Sequence, residues 1–262
     1  MVKRRPKRDM ALGKSSPELE DVARAIGLLT RLPVPVDGAA AQARGAGAAW
    51  AYPVAGGLVA LLGLCLAWGA LWFGVPATIA AALALGLGVV VTGALHEDGL
   101  ADSADGLWGG WDKDRRLEIM KDSRIGAYGV LALVFGTVIR WQALVWALTL
   151  GIGGAWIAAA MVGRAAMPVL MASLPQARPG GLSASVGRPS TATAGLACAL
   201  CAPAVLWFGF AGVGAALVAG LCAFGCARLA RAKIGGQTGD ILGATGLICE
   251  AACLVSLLAS SA

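Results

Sequence analysis

Seven stretches of this chain are each long and apolar enough to cross a lipid bilayer, which limits what it can fold into more than any other feature. They fall at roughly 50–74, 76–95, 127–150, 151–174, 191–212, 213–229 and 241–260. A membrane-crossing helix needs about 20 mostly apolar residues. In lipid, every backbone N–H and C=O has to be satisfied inside the segment, so such stretches are helices. The fold expected is all-α: a polytopic integral membrane bundle of about seven transmembrane helices, a single domain over 1–262. Composition agrees, at 58% hydrophobic and 14% charged, since a soluble domain of this length shows far more polar surface. Frequent Gly and Ala in the stretches let helices approach closely.

The charges give an orientation. Nine of the 21 Lys and Arg precede the first stretch, from Lys3 to Arg44. Five more stand between the second and third (Lys113, Arg115, Arg116, Lys121, Arg124), two between the fourth and fifth (Arg178, Arg188), and three after the sixth (Arg228, Arg231, Lys233). The turns near 73–76, 151–154 and 209–214 carry none. The positive-inside rule then puts the N-terminus and the three charged loops in the cytoplasm. An odd number of crossings places the C-terminus outside. Residues 1–49 read as a cytoplasmic basic tail, held at anionic headgroups, followed by an interfacial amphipathic helix. That helix is expected to start with Ser16 as N-cap and Pro17 at its first position, to carry Val22, Ile26 and Leu29 on one face, and to end before Pro33. No apolar core follows the basic tail directly, so it is not read as a cleaved signal.

The acids are concentrated. Eight of 15 fall between Glu97 and Asp122: Glu97, Asp98, Asp102, Asp105, Asp112, Asp114, Glu118 and Asp122. Asp98, Asp102 and Asp105 are spaced i, i+4, i+7, one narrow face if helical, with no Lys or Arg between them to relieve their repulsion. A divalent cation would, and magnesium takes oxygen ligands: a few carboxylates completed by water and phosphate. A solvated acidic loop is the plainer reading of such a run. Three features favour a site: the acids begin at the membrane boundary, small residues separate them, and a basic stretch follows. Acids holding metal beside bases that neutralise phosphate suit phosphoryl chemistry. The 96–126 segment is therefore expected to be a cytoplasmic acidic active-site loop roofing a cavity.

Other chemistries find little support. His96 is the only histidine, which excludes a His-rich metal site; it is read equally as a neighbour of the acidic site or as a residue at headgroup level. The glycines at 106–110 lack P-loop spacing. The seven cysteines all lie in apolar stretches, and Cys198 and Cys201, a CxxC with no second pair, read as small packing residues. Arg140, Arg164 and Glu250 lie inside crossings, where ionisable groups face the protein interior. These residues allow an Arg–Glu pair with either arginine, and snorkelling near the end of a crossing is the alternative for Arg164. Asp240, in a Gly-rich turn, reads either as a site residue or as the N-cap of the last crossing.

Four motifs carry a resemblance. The run His96-Glu97-Asp98-Gly99-Leu100-Ala101-Asp102-Ser103-Ala104-Asp105-Gly106 resembles the signature of the cobalamin synthase family, the adenosylcobinamide-GDP ribazoletransferases. So does Arg116-Leu117-Glu118-Ile119-Met120-Lys121-Asp122-Ser123-Arg124-Ile125-Gly126-Ala127-Tyr128-Gly129. Leu29-Thr30-Arg31-Leu32-Pro33-Val34-Pro35 and the 235–244 segment look like the family's N- and C-terminal motifs, and all four occur in matching order. Glu97 departs from the pattern without touching the aspartates. The resemblance implies that α-ribazole, or its 5′-phosphate, attacks the phosphoryl group of adenosylcobinamide-GDP and GMP leaves. It further implies Mg²⁺ as cofactor and the bacterial cytoplasmic (inner) membrane as location. On this reading Asp98, Asp102 and Asp105 hold the metal, and Glu97, Glu118 or Asp122 supplies a second site or a general base. Lys121 and Arg124 clamp phosphate, with Arg31 and Asp240 at the substrate. The partners expected are those two substrates and the lipid bilayer, with no nucleic acid; no oligomeric state is assigned. The acid spacing is also similar to the CDP-alcohol phosphotransferases, although Asp102 stands where that family's motif has Arg. A cation transporter is the non-enzyme alternative, and it requires carboxylates at mid-bilayer depth.

Overall fold

The computed structural model describes residues 16–260. The basic tail at 3–14 lies outside them. Among the described residues the chain is helical throughout, with one isolated bridge between Gln176 and Gln237.

Helix α1 (Glu20–Leu29) starts later than the sequence suggests. Ser16 does not cap it. Instead the Asp21 carboxylate accepts from the Glu18 N–H at 3.0 Å. Asp21, Ala25 and Leu29 face inward, so α1 packs on the protein rather than only on a membrane surface. Asp37 caps α2 (Gly38–Arg44) by accepting from the N–H groups of Ala39 and Ala40. A 3₁₀ segment (Gly45–Ala51) then leads into α3 (Tyr52–Trp72).

Helix α4 (Ala77–Thr92) ends on two consecutive left-handed residues, Gly93 at φ 63° and Ala94 at φ 58°. A left-handed alanine is uncommon, and the pair turns the chain by 87° into α5 (Leu95–Gly109). The acidic segment is therefore a helix for most of its length and not a loop. It continues through the short α6 (Lys113–Ile119), capped by Asp112, to α7 (Ala127–Thr149). There follow α8 (Gly154–Ser173), a one-turn α9 (Leu182–Val186), α10 (Thr191–Leu206), α11 (Gly209–Ile234) and α12 (Gly239–Ala259).

The segment 38–72 and helices α7, α8, α11 and α12 are long and apolar enough to cross a membrane. Counting the bent α4–α5 pair as one crossing gives six. Its apolar length lies in α4; α5 carries four acids. Helix α10 is apolar but has 16 residues, shorter than its expected stretch because the chain turns at Trp207. The fold is the expected polytopic helical bundle, with α10 as the short member.

Helices α8 and α12 form the centre, packed on each other and against α3, α5, α10 and α11. Their contact is backbone to backbone: a Cβ on Gly163 would come within 2.5 Å of the Gly246 carbonyl oxygen. Such approach is how membrane helices associate where lipid supplies no hydrophobic drive. Outer helices present large apolar residues outward, such as Leu131 and Phe135 on α7 and Leu217 and Leu221 on α11.

One polar network lies inside the bundle. Glu250 accepts from Arg140 at 3.0 Å and from Trp156 Nε1 at 3.0 Å, and also from Arg164. Arg140 donates further to Glu97 at 3.0 Å. The Arg–Glu pair thus involves both arginines, and Arg164, 4% exposed, does not snorkel. Charge pairing of this kind is what allows ionisable groups inside a membrane bundle.

Candidate active site

Three segments meet at one end of the bundle: the start of α5, the start of α12, and the stretch 176–186 that follows α8 and includes α9. Between them opens a cleft of about 800 Å³. Its polar wall includes Asp98, Asp240, Arg178, Gln176, Ser183 and Thr238; its apolar wall includes Tyr52, Met167 and Met171.

Local chemistry explains why these elements converge. Helix α5 crosses α12 where Gly99 meets Asp240, so closely that a Cβ on Gly99 would lie 2.8 Å from the Asp240 carbonyl oxygen. The N-cap of α12 is Thr238, whose hydroxyl accepts from the Ile241 N–H at 3.3 Å. Asp240 is thereby released from capping, and its carboxylate faces the cleft. The 176–186 stretch is pinned to the α11–α12 turn by main-chain bonds of 2.9 Å, Ala177 N–H to the Gln237 carbonyl and Gln237 N–H to the Pro175 carbonyl. Ser183 donates to the Gln237 side chain at 2.6 Å. These ties hold Arg178 over the site, where it donates to Asp240 at 3.2 Å.

The electrostatics are one-sided. Asp102 has Asp98, Asp240 and Asp105 as charged neighbours, and Arg178 is the cation that opposes them. Burial, with the three acids, pushes Asp102 up to about 7. Acids clustered beside one guanidinium suit a site for a further cation. No group of three or more His, Cys, Asp or Glu side chains is placed to hold an ion among the described residues. The arrangement is thus open: Asp98 and Asp240 line the cleft, while Asp102, one turn along α5, does not line it but lies within their electrostatic reach.

The other sequence-derived candidates are placed differently. Asp105, expected as a metal ligand, accepts from the Gly126 N–H at 2.7 Å and the Gly129 N–H at 2.8 Å. Its two oxygens thereby satisfy the open N–H groups that begin α7. Glu118 pairs with Arg115, and Asp122 pairs with Arg124 at 2.8 Å, both on the open surface. The Arg124 side chain is 88% exposed, and Lys121 is also exposed. None of these four lines the cleft. Arg31 lies over Gly93 at the α4–α5 bend, its N–H donating to the Val91 carbonyl at 2.7 Å. Glu97 is engaged by Arg140 in the internal network.

Of the cleft residues, Arg178 has no site role in the sequence reading, and for His96 the structure decides between the two readings, in favour of the neighbour of the acidic site. Arg178 counted there only as a cytoplasmic charge; the Gly180-Gly181 pair after it, both at positive φ, was the local sign of a shaped turn. His96 is not at headgroup level. It is 1% exposed and lines the cleft, and neither ring nitrogen has a partner. A buried imidazole left this way is a donor and acceptor open to a ligand.

Comparison with known proteins identifies the family. The cobalamin-5-phosphate synthase family matches residues 21–258. An adenosylcobinamide-GDP ribazoletransferase of Bradyrhizobium diazoefficiens is 46% identical, over 86% of this chain and 88% of that protein. One of Azorhizobium caulinodans is 44% identical over 92% and 96%, and one of Brucella ovis 40% over 91% and 96%. No solved structure matches.

Proposed function

This chain belongs to the cobalamin-5-phosphate synthase family, and we propose that its cleft carries out the transfer named in its relatives. A hydroxyl of α-ribazole, or of its 5′-phosphate, attacks the phosphoryl group next to cobinamide in adenosylcobinamide-GDP. The new O–P bond forms as the bond to the bridging oxygen breaks, GMP departs with that electron pair, and the hydroxyl proton passes to a cleft carboxylate. The product is adenosylcobalamin or its phosphate. The protein lies in the bacterial cytoplasmic membrane, with the cleft on the cytoplasmic side.

The observation that carries this reading is the convergence of Asp98, Asp240 and Arg178 in one cleft, with Asp102 one helical turn along α5 and within electrostatic reach of all three. Magnesium fits the donor set, because it is commonly held by one or two carboxylates completed by water and substrate phosphate. Asp98 and Asp102 would hold it, with Asp240 opposite, and Asp105 remains the cap of α7. When bound, the ion neutralises charge on the diphosphate and on the leaving oxygen. Arg178 grips a phosphate oxygen, its planar fork matched to that geometry. His96 hydrogen-bonds the substrate at the cleft floor, while Met167 and Met171 supply an adaptable apolar wall.

The test is GMP release from adenosylcobinamide-GDP by purified protein, with and without Mg²⁺ and α-ribazole. Asp98→Asn and Asp102→Asn keep the shape and remove the charge. Each is expected to lower turnover by roughly a hundredfold or more, with insertion unchanged. Full activity in both variants would leave the acids without a part in the chemistry.

A further inference from the structure

A second cavity, larger than the cleft, lies away from it. It is a groove of about 1590 Å³ between α8, α10 and α11, with Cys249 of α12 at its floor. Its walls are small or apolar: Ala165, Ala219, Ala223, Gly220, Cys198 and Cys201 leave the space open. The proposed reaction uses none of them. The lining on α11 runs from Ala216 to Arg231, about 22 Å along the helix at 1.5 Å per residue. One leaflet of a bilayer occupies roughly half of a 30 Å hydrocarbon core, so the groove spans at least that depth.

The two ends differ. At the α10–α11 turn the lining is Val205 and Ala216. At the other end, level with the basic loops, it is Arg228 and Arg231, i and i+3 on one helix face. Both are exposed and form no ion pair among the described residues. An apolar channel of leaflet depth with two unopposed guanidinium groups at its mouth is complementary to an anionic head bearing an acyl chain.

We propose that this groove is a binding site for a membrane phospholipid with an anionic headgroup, its acyl chain between α8, α10 and α11 and its phosphate at Arg228 and Arg231. The site is independent of the catalytic reading. Phosphate oxygens accept from the guanidinium groups, and the chain fills volume that the small side chains leave empty.

The experiment is native mass spectrometry of the full chain, delipidated in detergent and then exposed to chain-matched phosphatidylglycerol and phosphatidylcholine. The wild type is expected to retain one phosphatidylglycerol about tenfold or more over phosphatidylcholine, from two basic residues near the headgroup. The double change Arg228→Gln/Arg231→Gln should bring the two lipids close to parity. Gly220→Phe should abolish retention. A Cβ there meets no atom within 4 Å, so the ring enters the groove without a clash, and an unchanged melting temperature reports an intact fold. Equal retention of both lipids by the wild type would overturn the proposal. So would a lipid that survives Gly220→Phe, or a groove occupied by a corrinoid or by a second copy of the chain.

Discussion

Arg178 and Arg124 are both arginines in charged loops, and only their surroundings tell them apart. Arg178 is half-buried and donates to Asp240 inside the cleft, whereas Arg124 is open to solvent and bound two residues back to Asp122. Replacing Arg by Lys keeps the charge and loses the planar fork. A hydrogen bond to a charged group is worth about 1.5–3 kcal/mol, so Arg178→Lys should lower kcat/KM for GMP release roughly tenfold or more. Arg124→Lys should stay near normal; the reverse order would move the phosphate clamp to the α6–α7 turn. The sequence showed the acids of this site because Asp98 and Asp102 share a helical spacing. It hid Arg178, whose place depends on a bridge between strands of chain some sixty residues apart. A second residue-level test concerns Asp21, fully buried and held by Arg44 at 2.6 Å and Trp50 at 2.8 Å. Burial alone would raise its pKa, but hydrogen bonds from Arg44 and Trp50, then from the Glu18 N–H and Arg24, hold it at about 2 against an ordinary 3.8. Its contribution to stability is therefore present above about pH 4 and lost as pH falls towards about 2, up to about 2 kcal/mol. Thermal unfolding in detergent should show this acid sensitivity in the wild type and a smaller one in Asp21→Asn, which starts less stable. Parallel pH profiles would remove Asp21 as the cause.

Helix α5 is the element on which site and fold depend together. Four acids and three glycines in fifteen residues make it a poor helix alone, and tertiary packing compensates. Gly99 sits against Asp240, Gly106 against Met120, and Asp105 caps α7. The sequence pointed to a loop because glycines and charges read that way locally, while the i, i+4, i+7 acids already fitted a helix. The left-handed Ala94 that aims α5 across α12 has no sequence signal, since it is imposed by the packing of the two helices. A matched pair of substitutions separates contact from propensity. Gly99→Ala puts a methyl 2.8 Å from the Asp240 carbonyl oxygen, whereas Gly109→Ala meets only Ile119, at 3.7 Å. Overpacking costs about 1–3 kcal/mol, so Gly99→Ala should lower both the melting temperature and GMP release. Gly109→Ala should leave both unchanged or slightly improved. If the two variants behave alike, α5 does not rest on α12 and the cleft loses one wall.

At the scale of the molecule, the two ends of the bundle are chemically different. At one end Lys233 donates to the Leu107 carbonyl at 2.7 Å, Arg116 to the Lys233 carbonyl at 3.0 Å, and Arg178 to Asp240. The basic loops thus meet at this end, two of them through Lys233 and Arg116 and the third at the cleft through Arg178. At the other end Gly153 packs on Leu64 and Trp68, which brings the α7–α8 turn beside the end of α3, and no basic residue occurs in these turns. Alternation of charged and uncharged turns was legible along the chain because it follows from hydropathy and Lys/Arg placement alone. The partners of Arg140, Arg164 and Glu250 were not, since pairing inside a bundle depends on how four helices are rotated about their axes. If the charged end is cytoplasmic, as the positive-inside rule requires, residues on either side of α4 lie in different compartments. Single reporter cysteines at Gly74 and Lys113, in a variant lacking the seven native ones, test this in intact cells and inverted vesicles. A membrane-impermeant maleimide should label the Gly74 reporter from outside the cell and the Lys113 reporter only in inverted vesicles. Both positions were chosen where a side chain is free to change: a Cβ on Gly74 meets no neighbour within 4 Å, and Lys113 is exposed. Labelling of both reporters from one side would mean that α4 does not cross. The bent α4–α5 pair would then be a re-entrant hairpin, and the cleft would open on the same side as the turn at Gly74.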